Sequence, residues 1–397
     1  MPVVAQIKQS NQSRHPLLLE QKYYRMTEGV YRFFRGTSFV FYQDFIQHFS
    51  TTDPTRVWGC GDLHLQNFGT YKADNRLVYF DLNDFDDALL LPATWELGRM
   101  LVSILLAAEE LALEPTESKA LLLAFLKSYT ATLSAGKPTD IDRRSAEGLL
   151  KEFLENLEKR RRRDLIKERT LKSDEGRRLN VDHEKVMPIL PEQYAKVKTM
   201  LENWHSQHPT PFYERICDIG IRVTGTASLG LERYVVLVES AKEKLYLLDL
   251  KEARQSTLAA FIQLPQPYWV SEAHRIVGIQ SRVNNVLPTL LNPLVCESQS
   301  FVLKELQPEQ DKFDFHYWDG ELESLTSLVA TLGTITASGH LRSAGRQGSS
   351  IADELIDFAH DTQWQCDLLA YCQDYPTKVH QDYFQFCEAF EEGLFDE

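Results

Sequence analysis

The chain has 397 residues, of which 43% are hydrophobic, and it contains only 19 Gly and 16 Pro. This composition excludes a disordered, a collagen-like or a small disulfide-rich protein and predicts a globular chain with two or three core-forming units. The 43 Lys and Arg residues against 57 Asp and Glu give a formal net charge of −14. General nucleic-acid binding needs a surplus of cations to meet the phosphate backbone, so this charge argues against it.

The cysteines and the apolar runs bear on location. The six cysteines form no CxxC pair and have no zinc-ligand spacing, so we interpret them as reduced core residues: Cys60, Cys217, Cys296, Cys366, Cys372 and Cys387. The N-terminal segment MPVVAQIKQSNQSRHPLLLEQKYYRM lacks the apolar run of a leader. No stretch reaches the ~18 apolar residues of a membrane helix. We therefore predict a cytoplasmic protein without membrane association.

The first third of the chain alternates helical and β patterns. Residues 17–50 are aromatic-rich with helical spacing and carry a string of cations, for which a solvated helix face is the simplest interpretation: Lys22, Arg25, Arg32 and Arg35. Short β-rich runs at 56–59 and 77–82 flank a polar loop, which predicts a strand, a loop and a hairpin. Residues 95–113 and 118–133 are rich in Ala and Leu and predict buried packing helices.

The remaining elements begin with a charged segment at 139–180, which contains a cation run from Lys159 to Arg163. Consecutive cations point around the whole helix, so a solvated helix is favoured over a site for an anion or an acidic partner. From residue 209 onward, three β-rich runs predict an antiparallel meander. A helix near 270–290, a strand at 300–306 and helices at 322–344 and from 350 onward complete the pattern.

The segment GDLHLQN places Asp62, His64 and Asn67 within six residues, and Asp81 and Asp84 follow the next apolar run. Mg²⁺ prefers carboxylate and amide oxygens, and phosphoryl transfer needs one carboxylate to orient the attacking hydroxyl. One alternative is an acidic turn, because Asp, Asn and Gly are favoured turn residues. Another is a metallophosphoesterase, which the absence of HxH or GNH strings disfavours.

GDLHLQN resembles the catalytic loop of the aminoglycoside phosphotransferase and choline kinase branch of the protein-kinase-like fold, which is written HGDxHxxN there. Cys60 stands where that branch usually has His. The resemblance implies that Asp62 is the catalytic carboxylate, that His64 supports the loop and that Asn67 is a metal ligand. VYFDLNDF resembles the metal-binding strand, so Asp81 is implied as the second metal ligand, with Asp84 as the alternative.

A kinase-like protein also needs a nucleotide lobe, and the segment before Asp62 is too short to form one. The later segment RVTGTASLGLERYVVLVE resembles a kinase glycine-rich loop written GxAxxG, with Ala227 at its middle position. Such a loop lets backbone N–H groups approach phosphates without side chains in the way. The implied nucleotide-contacting residues of this loop are Gly225, Thr226, Ser228 and Gly230.

The strand KLYLLDLKEA places Lys251 where the phosphate-contacting lysine of kinases follows the glycine hairpin. Glu272, in the helix after it, is a possible ion-pair partner that would hold the lysine over the α- and β-phosphates. Lys304 and Glu305 would lie on the strand that leads into the hinge between the lobes. For His340, near the end of a C-terminal helix, a core or capping position is favoured over a catalytic one.

Because the catalytic loop precedes the nucleotide lobe, the order implies a circular permutation of a two-lobed, kinase-like α+β fold. Residues 1–205 would form the helical lobe with the catalytic loop, residues 206–310 the β-rich nucleotide lobe, and residues 311–397 the helices that complete the helical lobe. The motifs RFFRG, GDLHLQNFG, FDLNDFDDA, GTASLG, LDLKEA and LGTITASGH together resemble the bacterial family called domain of unknown function 2252 over roughly residues 20–390.

The kinase resemblance implies an ATP- and Mg²⁺-dependent phosphotransferase that acts on a hydroxyl of a small molecule or a protein. Arg35 could reach the transferred phosphate, because a guanidinium pairs bidentately with phosphate oxygens. Two other functions stay open. One is transfer of AMP from a nucleotide bound in the reversed direction, and the other is a nucleotide-binding pseudokinase that acts as an interaction module.

Overall fold

The structure is a computed structural model that describes residues 3–12, 14–142, 144–159, 162–174, 176–181, 185–225, 229–306 and 314–395. The α-helices are, in chain order, α1 (Val3–Asn11), α2 (Pro16–Thr27), α3 (Val30–Gly36), α4 (Ser38–His48), α5 (Ala93–Glu110), α6 (Pro115–Ala135), α7 (Gly148–Lys159), α8 (Arg162–Arg169), α9 (Pro191–Gln207), α10 (Glu272–Val283), α11 (Leu322–Ser343), α12 (Ala352–His360) and α13 (Gln363–Glu391). None of the described helices combines the length and apolar character that crossing a lipid bilayer requires.

The β-strands are β1 (Val57–Gly59), β2 (Phe68–Lys72), β3 (Val78–Leu82), β4 (Leu89–Leu91), β5 (Thr170–Ser173), β6 (Gly176–Leu179), β7 (Val186–Met187), β8 (Arg215–Arg222), β9 (Arg233–Glu239), β10 (Leu245–Ala253), β11 (Asn292–Cys296) and β12 (Gln299–Glu305). Helices and strands are both extensive, so the mixed α and β composition predicted from the sequence is confirmed.

The largest sheet has six strands in the order β11-β12-β10-β9-β8-β7, with every neighbouring pair antiparallel. The predicted meander is confirmed as β8, β9 and β10, which are adjacent in the sheet. On one face, alternate apolar residues pack against α9 in a shared core that includes Trp204, Val236, Leu248 and Phe301. The other face packs on α8 at one end through Leu237 and is charged further along.

The helical part of the molecule has a separate, larger core. Its centre is apolar because α5, α6 and α11 carry Ala, Leu and Ile at helical spacing, as the sequence predicts. Gly333 lets α11 approach α6 closely, since a Cβ at that position would stand 2.4 Å from the carbonyl oxygen of Phe125. Helix α13 packs against α5 and its aromatic side chains extend the core toward α4.

Two small antiparallel strand pairs flank the polar loop. β1 pairs with β4, and β2 pairs with β3. The register of β2 and β3 sets Phe68 opposite Leu82, so the residues just outside the pair also meet, and the Asn83 amide donates to the carbonyl oxygen of Asn67 at 3.0 Å. The predicted strand, loop and hairpin are therefore confirmed.

Some local predictions need correction. The helix predicted near 270–290 ends at Val283, and the charged segment 139–180 includes a hairpin, β5 with β6, that its charge pattern did not reveal. Within the cation run, Arg160 and Arg161 lie outside the described residues. Arg162 stacks over the Tyr246 ring at 4.1 Å, and the Arg163 guanidinium lies 3.6 Å from Asp164 on the surface.

Candidate functional site

A cavity of about 480 Å³ lies where the charged face of the six-stranded sheet meets the loops of the helical part. The loop after β1, the loop between β3 and β4, the sheet and the N-terminal helices all contribute to its wall. About half of its lining residues are charged or histidine, which are Arg14, Lys22, Arg35, Asp62, His64, Asp84, Asp86, Asp87, Arg222, Arg233, Asp249, Lys251, Glu252, Arg254 and Lys304. Such a wall suits a charged ligand.

The tertiary structure brings most of the predicted site residues to this cavity. Residues from four segments of the chain line it together, which are Asp62, His64, Asn67, Asp84, Gly225 and Lys251. Gly230 lies in the same glycine loop, where its carbonyl oxygen accepts a hydrogen bond from the His15 amide at 3.0 Å. Thr226 and Ser228, with Ala227 between them, lie outside the described residues, so their placement stays a prediction.

Asp62 is held by a buried arginine of α5. The Arg99 Nε donates to Asp62 Oδ1 at 2.9 Å, and Arg99 Nη2 donates to the carbonyl oxygen of Phe34 at 2.7 Å. The guanidinium also stacks on the Phe34 ring at 3.6 Å, and its side chain is fully buried. Because the charge-assisted bond fixes one carboxylate oxygen, Asp62 reaches the cavity in a defined orientation.

Asn67 joins the loop after β1 to the acidic loop, which runs from Asn83 to Ala88 between β3 and β4. Its amide nitrogen donates to the carbonyl oxygens of Asp62 at 3.0 Å and Asp84 at 3.2 Å, and its Oδ1 accepts from the Asp84 amide at 2.8 Å. An amide oxygen has two lone pairs, so one remains for a cation. Asn67 therefore sets the distance between Asp62 and Asp84 whether or not it ligates a metal.

Lys251 spans the gap from the sheet to the acidic loop. Its Nζ lies 3.4 Å from Asp84 Oδ1 and forms a closer ion pair with Asp86. Burial alone would lower the pKa of Lys251, but Asp84 and Asp86 outweigh burial and raise it. Burial and the neighbouring Asp84 raise the pKa of Asp86 despite this pairing. The lysine is thus a fixed cation beside two carboxylates.

Two predicted residues lie elsewhere. Glu272 does not pair with Lys251. It pairs with Arg275 one helical turn away at 2.6 Å, because both begin α10 on the same face. Asp81 is buried outside the cavity lining, where its Oδ1 accepts from the Leu82 amide at 2.8 Å and its Oδ2 lies 3.5 Å from Arg342. Of the two alternatives for the second metal ligand, Asp84 is the one that faces the cavity.

The sequence analysis did not single out Glu96 and Tyr129, which support the loop before Asp62 together with His340. Glu96 of α5 is fully buried, and its carboxylate accepts from the Cys60 amide at 2.6 Å and the Gly61 amide at 3.3 Å. His340 of α11 lies 2.8 Å from Glu96 through Nε2 and 2.8 Å from the Tyr129 hydroxyl through Nδ1. Its position is a core position, as favoured from the sequence. Polar residues inside the apolar pattern WELGR were the available signal.

Arg275 of α10 anchors the acidic loop from the other side. Its guanidinium donates to the carbonyl oxygens of Ala88 at 2.6 Å, Asp86 at 2.8 Å and Arg254 at 2.9 Å. Of the two residues predicted to lead into a hinge, Lys304 lines the cavity, whereas Glu305 forms a bidentate ion pair with Arg76 outside it. No sequence pattern singled out Arg275, since a lone arginine near a helix start has many possible partners.

The N-terminal helices reach across to the glycine loop. Arg14 Nη1 donates to the carbonyl oxygen of Leu229 at 2.5 Å, and Arg25 Nη1 donates to that of Gly225 at 2.7 Å. Arg35, at the end of α3, donates to the side chain of Gln66 at 2.5 Å and contacts His64 Nε2 at 3.4 Å. Most of the cations predicted to form a solvated helix face therefore line the cavity or bind the loop that runs from Gly225 to Gly230.

Asp84 and Asn67 are the residues of the cavity that fit a divalent cation. Within the ranges that the structure describes, no three His, Cys, Asp or Glu side chains are grouped closely enough to hold a metal ion by themselves. Mg²⁺ usually takes only one or two carboxylates, with water and substrate phosphates as its other ligands. Asp84, with 47% of its side chain exposed, and the free lone pair of Asn67 fit that smaller requirement.

The fold and the site define a mixed α and β protein with a cavity, rich in charged side chains, between a six-stranded sheet and a helical body. Residues 14–389 match the family described as uncharacterized protein conserved in bacteria, DUF2252, and the chain belongs to that family. The family resemblance stated from the sequence motifs is thereby confirmed. No functionally curated protein and no solved structure is detectably similar to the chain.

Proposed function

We propose that this protein binds ATP with Mg²⁺ and transfers a phosphoryl group to a hydroxyl acceptor. The observation that carries the proposal is the meeting of Asp62, Asp84 and Lys251 in one cavity, since they come from a loop, an acidic turn and a strand far apart in the chain. Phosphoryl transfer is catalysed chiefly by positioning and by electrostatic stabilisation, which such a set provides.

The architecture that we propose is a circularly permuted kinase-like fold. In kinases the glycine-rich loop joins the first two strands, the phosphate-contacting lysine lies on the third, and a helix follows. Here Gly225 follows β8, Lys251 lies on β10 and α10 comes next. The helical lobe precedes this unit in the chain, which accounts for the permuted order.

Each residue has a distinct part in the proposed reaction. The acceptor oxygen forms a bond to the γ-phosphorus as the bond from that phosphorus to the bridging oxygen breaks, ADP leaves, and Asp62 accepts the hydroxyl proton. Arg99 keeps Asp62 oriented, and Lys251 binds phosphate oxygens. Asp84 and Asn67 would hold Mg²⁺, which neutralises charge on the phosphates when bound.

The first experiment measures thermal unfolding of the full chain with and without ATP and Mg²⁺. At a hundred times the dissociation constant, a ligand adds about 2.7 kcal/mol of stability. We expect this stabilisation to need Mg²⁺ and to disappear in Lys251→Met and Asp84→Asn, whereas Lys242→Met at an exposed turn keeps it. Absence of any effect of ATP, GTP or ADP on the wild-type chain would exclude a nucleotide site.

A second experiment separates an enzyme from a nucleotide-binding scaffold. Asp62→Asn should keep the stabilisation by ATP and Mg²⁺ but lower acceptor turnover by about 10²- to 10⁴-fold, because it removes the proton acceptor and not the nucleotide contacts. Mass spectrometry of the modified acceptor distinguishes a phosphoryl group from an AMP group. A wild-type chain that binds ATP but modifies no acceptor in a broad screen would favour the pseudokinase alternative.

A further inference from the structure

The cavity-facing side of the sheet carries cations on neighbouring strands. Lys251 of β10 stands directly opposite Arg233 of β9. Arg222 ends β8 one step beyond the Ile221–Tyr234 pair, so it continues the same row. Lys304 of β12 stands opposite Asp249, and all of these charged side chains line the cavity. Like charges in directly opposed positions destabilise a sheet, so this row of cations lowers the stability of the folded chain. Packing of the sheet alone gives no reason to place cations there.

Internal carboxylates balance only part of this charge. Asp249 forms ion pairs with Arg222 at 2.7 Å and Arg233 at 2.6 Å, and these cations hold the pKa of Asp249 well below its ordinary value although burial opposes them. Lys251 forms ion pairs with Asp84 and Asp86.

Lys304 lies beside this row, opposite Asp249, and differs from the cations in it. No carboxylate within the described part of the chain lies within ion-pair distance of its Nζ. Burial lowers the pKa of Lys304 to about 8, and the nearby Asp249 only partly opposes this. A desolvated lysine of this kind gains most from an incoming anion.

We propose that Arg222, Arg233 and Lys304 form a second anion subsite in this cavity, on the sheet face, that binds a phosphate group. The subsite deepens the proposed function and rests on it for the identity of the ligand. The sheet side of the wall places Asp249 and the three cations beside the apolar Leu231 and Val302. The charged part of this wall suits a phosphate group better than a purine base. Arginine forks and a lysine ammonium are the donors that phosphate oxygens prefer.

The phosphate can come from two sources. The first is the terminal phosphates of the nucleotide itself, bound with its phosphate chain along the sheet. In that orientation the acceptor oxygen forms a bond to the α-phosphorus as the bond from that phosphorus to the oxygen shared with the β-phosphorus breaks. Pyrophosphate leaves, and Asp62 accepts the hydroxyl proton. The product then carries AMP, and this transfer takes the place of the γ-phosphoryl transfer proposed above. The second source is a phosphate borne by another molecule, which leaves the γ-phosphoryl transfer unchanged.

The test is calorimetric titration of the full chain at pH 7 with pyrophosphate and, separately, inorganic phosphate. We expect pyrophosphate to bind the wild-type chain and its affinity to fall by at least about tenfold in Lys304→Met, the loss of one charge-assisted contact. Lys244→Met, at the exposed turn between β9 and β10, should bind as the wild type does. Lys304→Arg should retain most of the affinity.

Thermal unfolding of Lys304→Met controls for misfolding. Removing a half-buried charge that has no carboxylate partner should leave the unfolding temperature at pH 7 equal to or above that of the wild type, so a loss of binding reports the subsite. The inference is overturned if the wild-type chain binds neither pyrophosphate nor inorganic phosphate. It is also overturned if Lys304→Met binds pyrophosphate as tightly as the wild-type chain does. Stabilisation by ATP and Mg²⁺ that depends on Lys251 would survive that failure, so the proposed function is tested separately.

Competition then assigns the source of the phosphate. If ATP displaces pyrophosphate whereas AMP does not, the subsite holds the nucleotide's own terminal phosphates, and acceptor labelled from the α-position of ATP is expected. If ATP and pyrophosphate bind together, the subsite holds a phosphate from a second molecule. Either result supports an anion subsite on the sheet face.

Discussion

Gly61 shows how one residue shapes the candidate site. Its φ of +82° is in the region that favours glycine, and a Cβ there would stand 2.0 Å from the carbonyl oxygen of Asp87. The backbone of the loop before Asp62 therefore crosses directly over the acidic loop. The Tyr42 hydroxyl donates to the Gly61 carbonyl at 2.6 Å from the other side. The glycine is required by both conformation and space.

Gly61→Ala is expected to destabilise the chain by about 2 to 5 kcal/mol, because conformational strain and a backbone clash add together. Gly148→Ala is the matched control. Its φ is +52°, but nothing lies within 4 Å of the added Cβ, so only the strain of about 1 kcal/mol applies. Denaturant unfolding measures both values, and equal losses in the two variants would contradict the crossing of the loops.

At the scale of elements, α5 and α11 are joined by a buried polar chain. Tyr129 of α6, His340 of α11 and Glu96 of α5 follow one another by hydrogen bonds, and Glu96 ends the chain at the amides of Cys60 and Gly61. Burial alone would raise the pKa of Glu96, but the bonds from His340 and Cys60 outweigh it and hold that pKa below its ordinary value. The helices thereby position the loop without touching the cavity.

This arrangement predicts a pH dependence of stability. A carboxylate whose pKa is lower in the folded chain stabilises it above the unfolded pKa of about 4.3, and the stabilisation is lost as the pH falls through the folded value. Glu96→Gln should therefore cost about 1 to 3 kcal/mol at pH 7 and progressively less below about pH 4.

Denaturant unfolding across this range, compared with Glu192→Gln, measures the effect. Glu192 is exposed in the first turn of α9, so its substitution should change stability by no more than about 0.5 kcal/mol. A Glu96→Gln difference that stays constant from pH 7 to pH 3 would show that the charge of Glu96 does not support the loop.

For the whole molecule, the distribution of charge matters more than its sum. The net charge is −14, yet the cavity wall contains eight Lys or Arg side chains and only six carboxylates. The rest of the chain is therefore even more acidic than the total indicates. Small anions can reach cations enclosed in a cavity of about 480 Å³, whereas a duplex meets the acidic exterior.

We expect fluorescence anisotropy to show no saturable binding of duplex DNA at protein concentrations up to about 10 µM near physiological salt. Pyrophosphate titrated in the same buffer is the positive control for an active preparation. Micromolar DNA affinity with a steep salt dependence would contradict this prediction and would indicate an exposed basic surface.

Local patterns determined the meander of β8 to β10, the helices α5, α6 and α11, and the loop that carries Asp62 and Asn67. These elements follow from periodicity and from turn residues, which act over a few positions. The hairpin of β5 with β6 was missed because charged residues fit a helix surface and an exposed hairpin equally well. The α10 boundary was missed because apolar residues continue beyond Asn284, where the backbone turns extended.

The sequence by itself thus determined which residue types were available for phosphate and metal chemistry and roughly where each lay on its element. Only the tertiary structure decided that Asp84 faces the cavity and Asp81 does not, that Lys251 pairs with the acidic loop instead of Glu272, and that cations of three strands form one row. The reason is that these are contacts between distant segments. Their partners depend on how strands register and how lobes pack, which the spacing of residues within a segment does not encode.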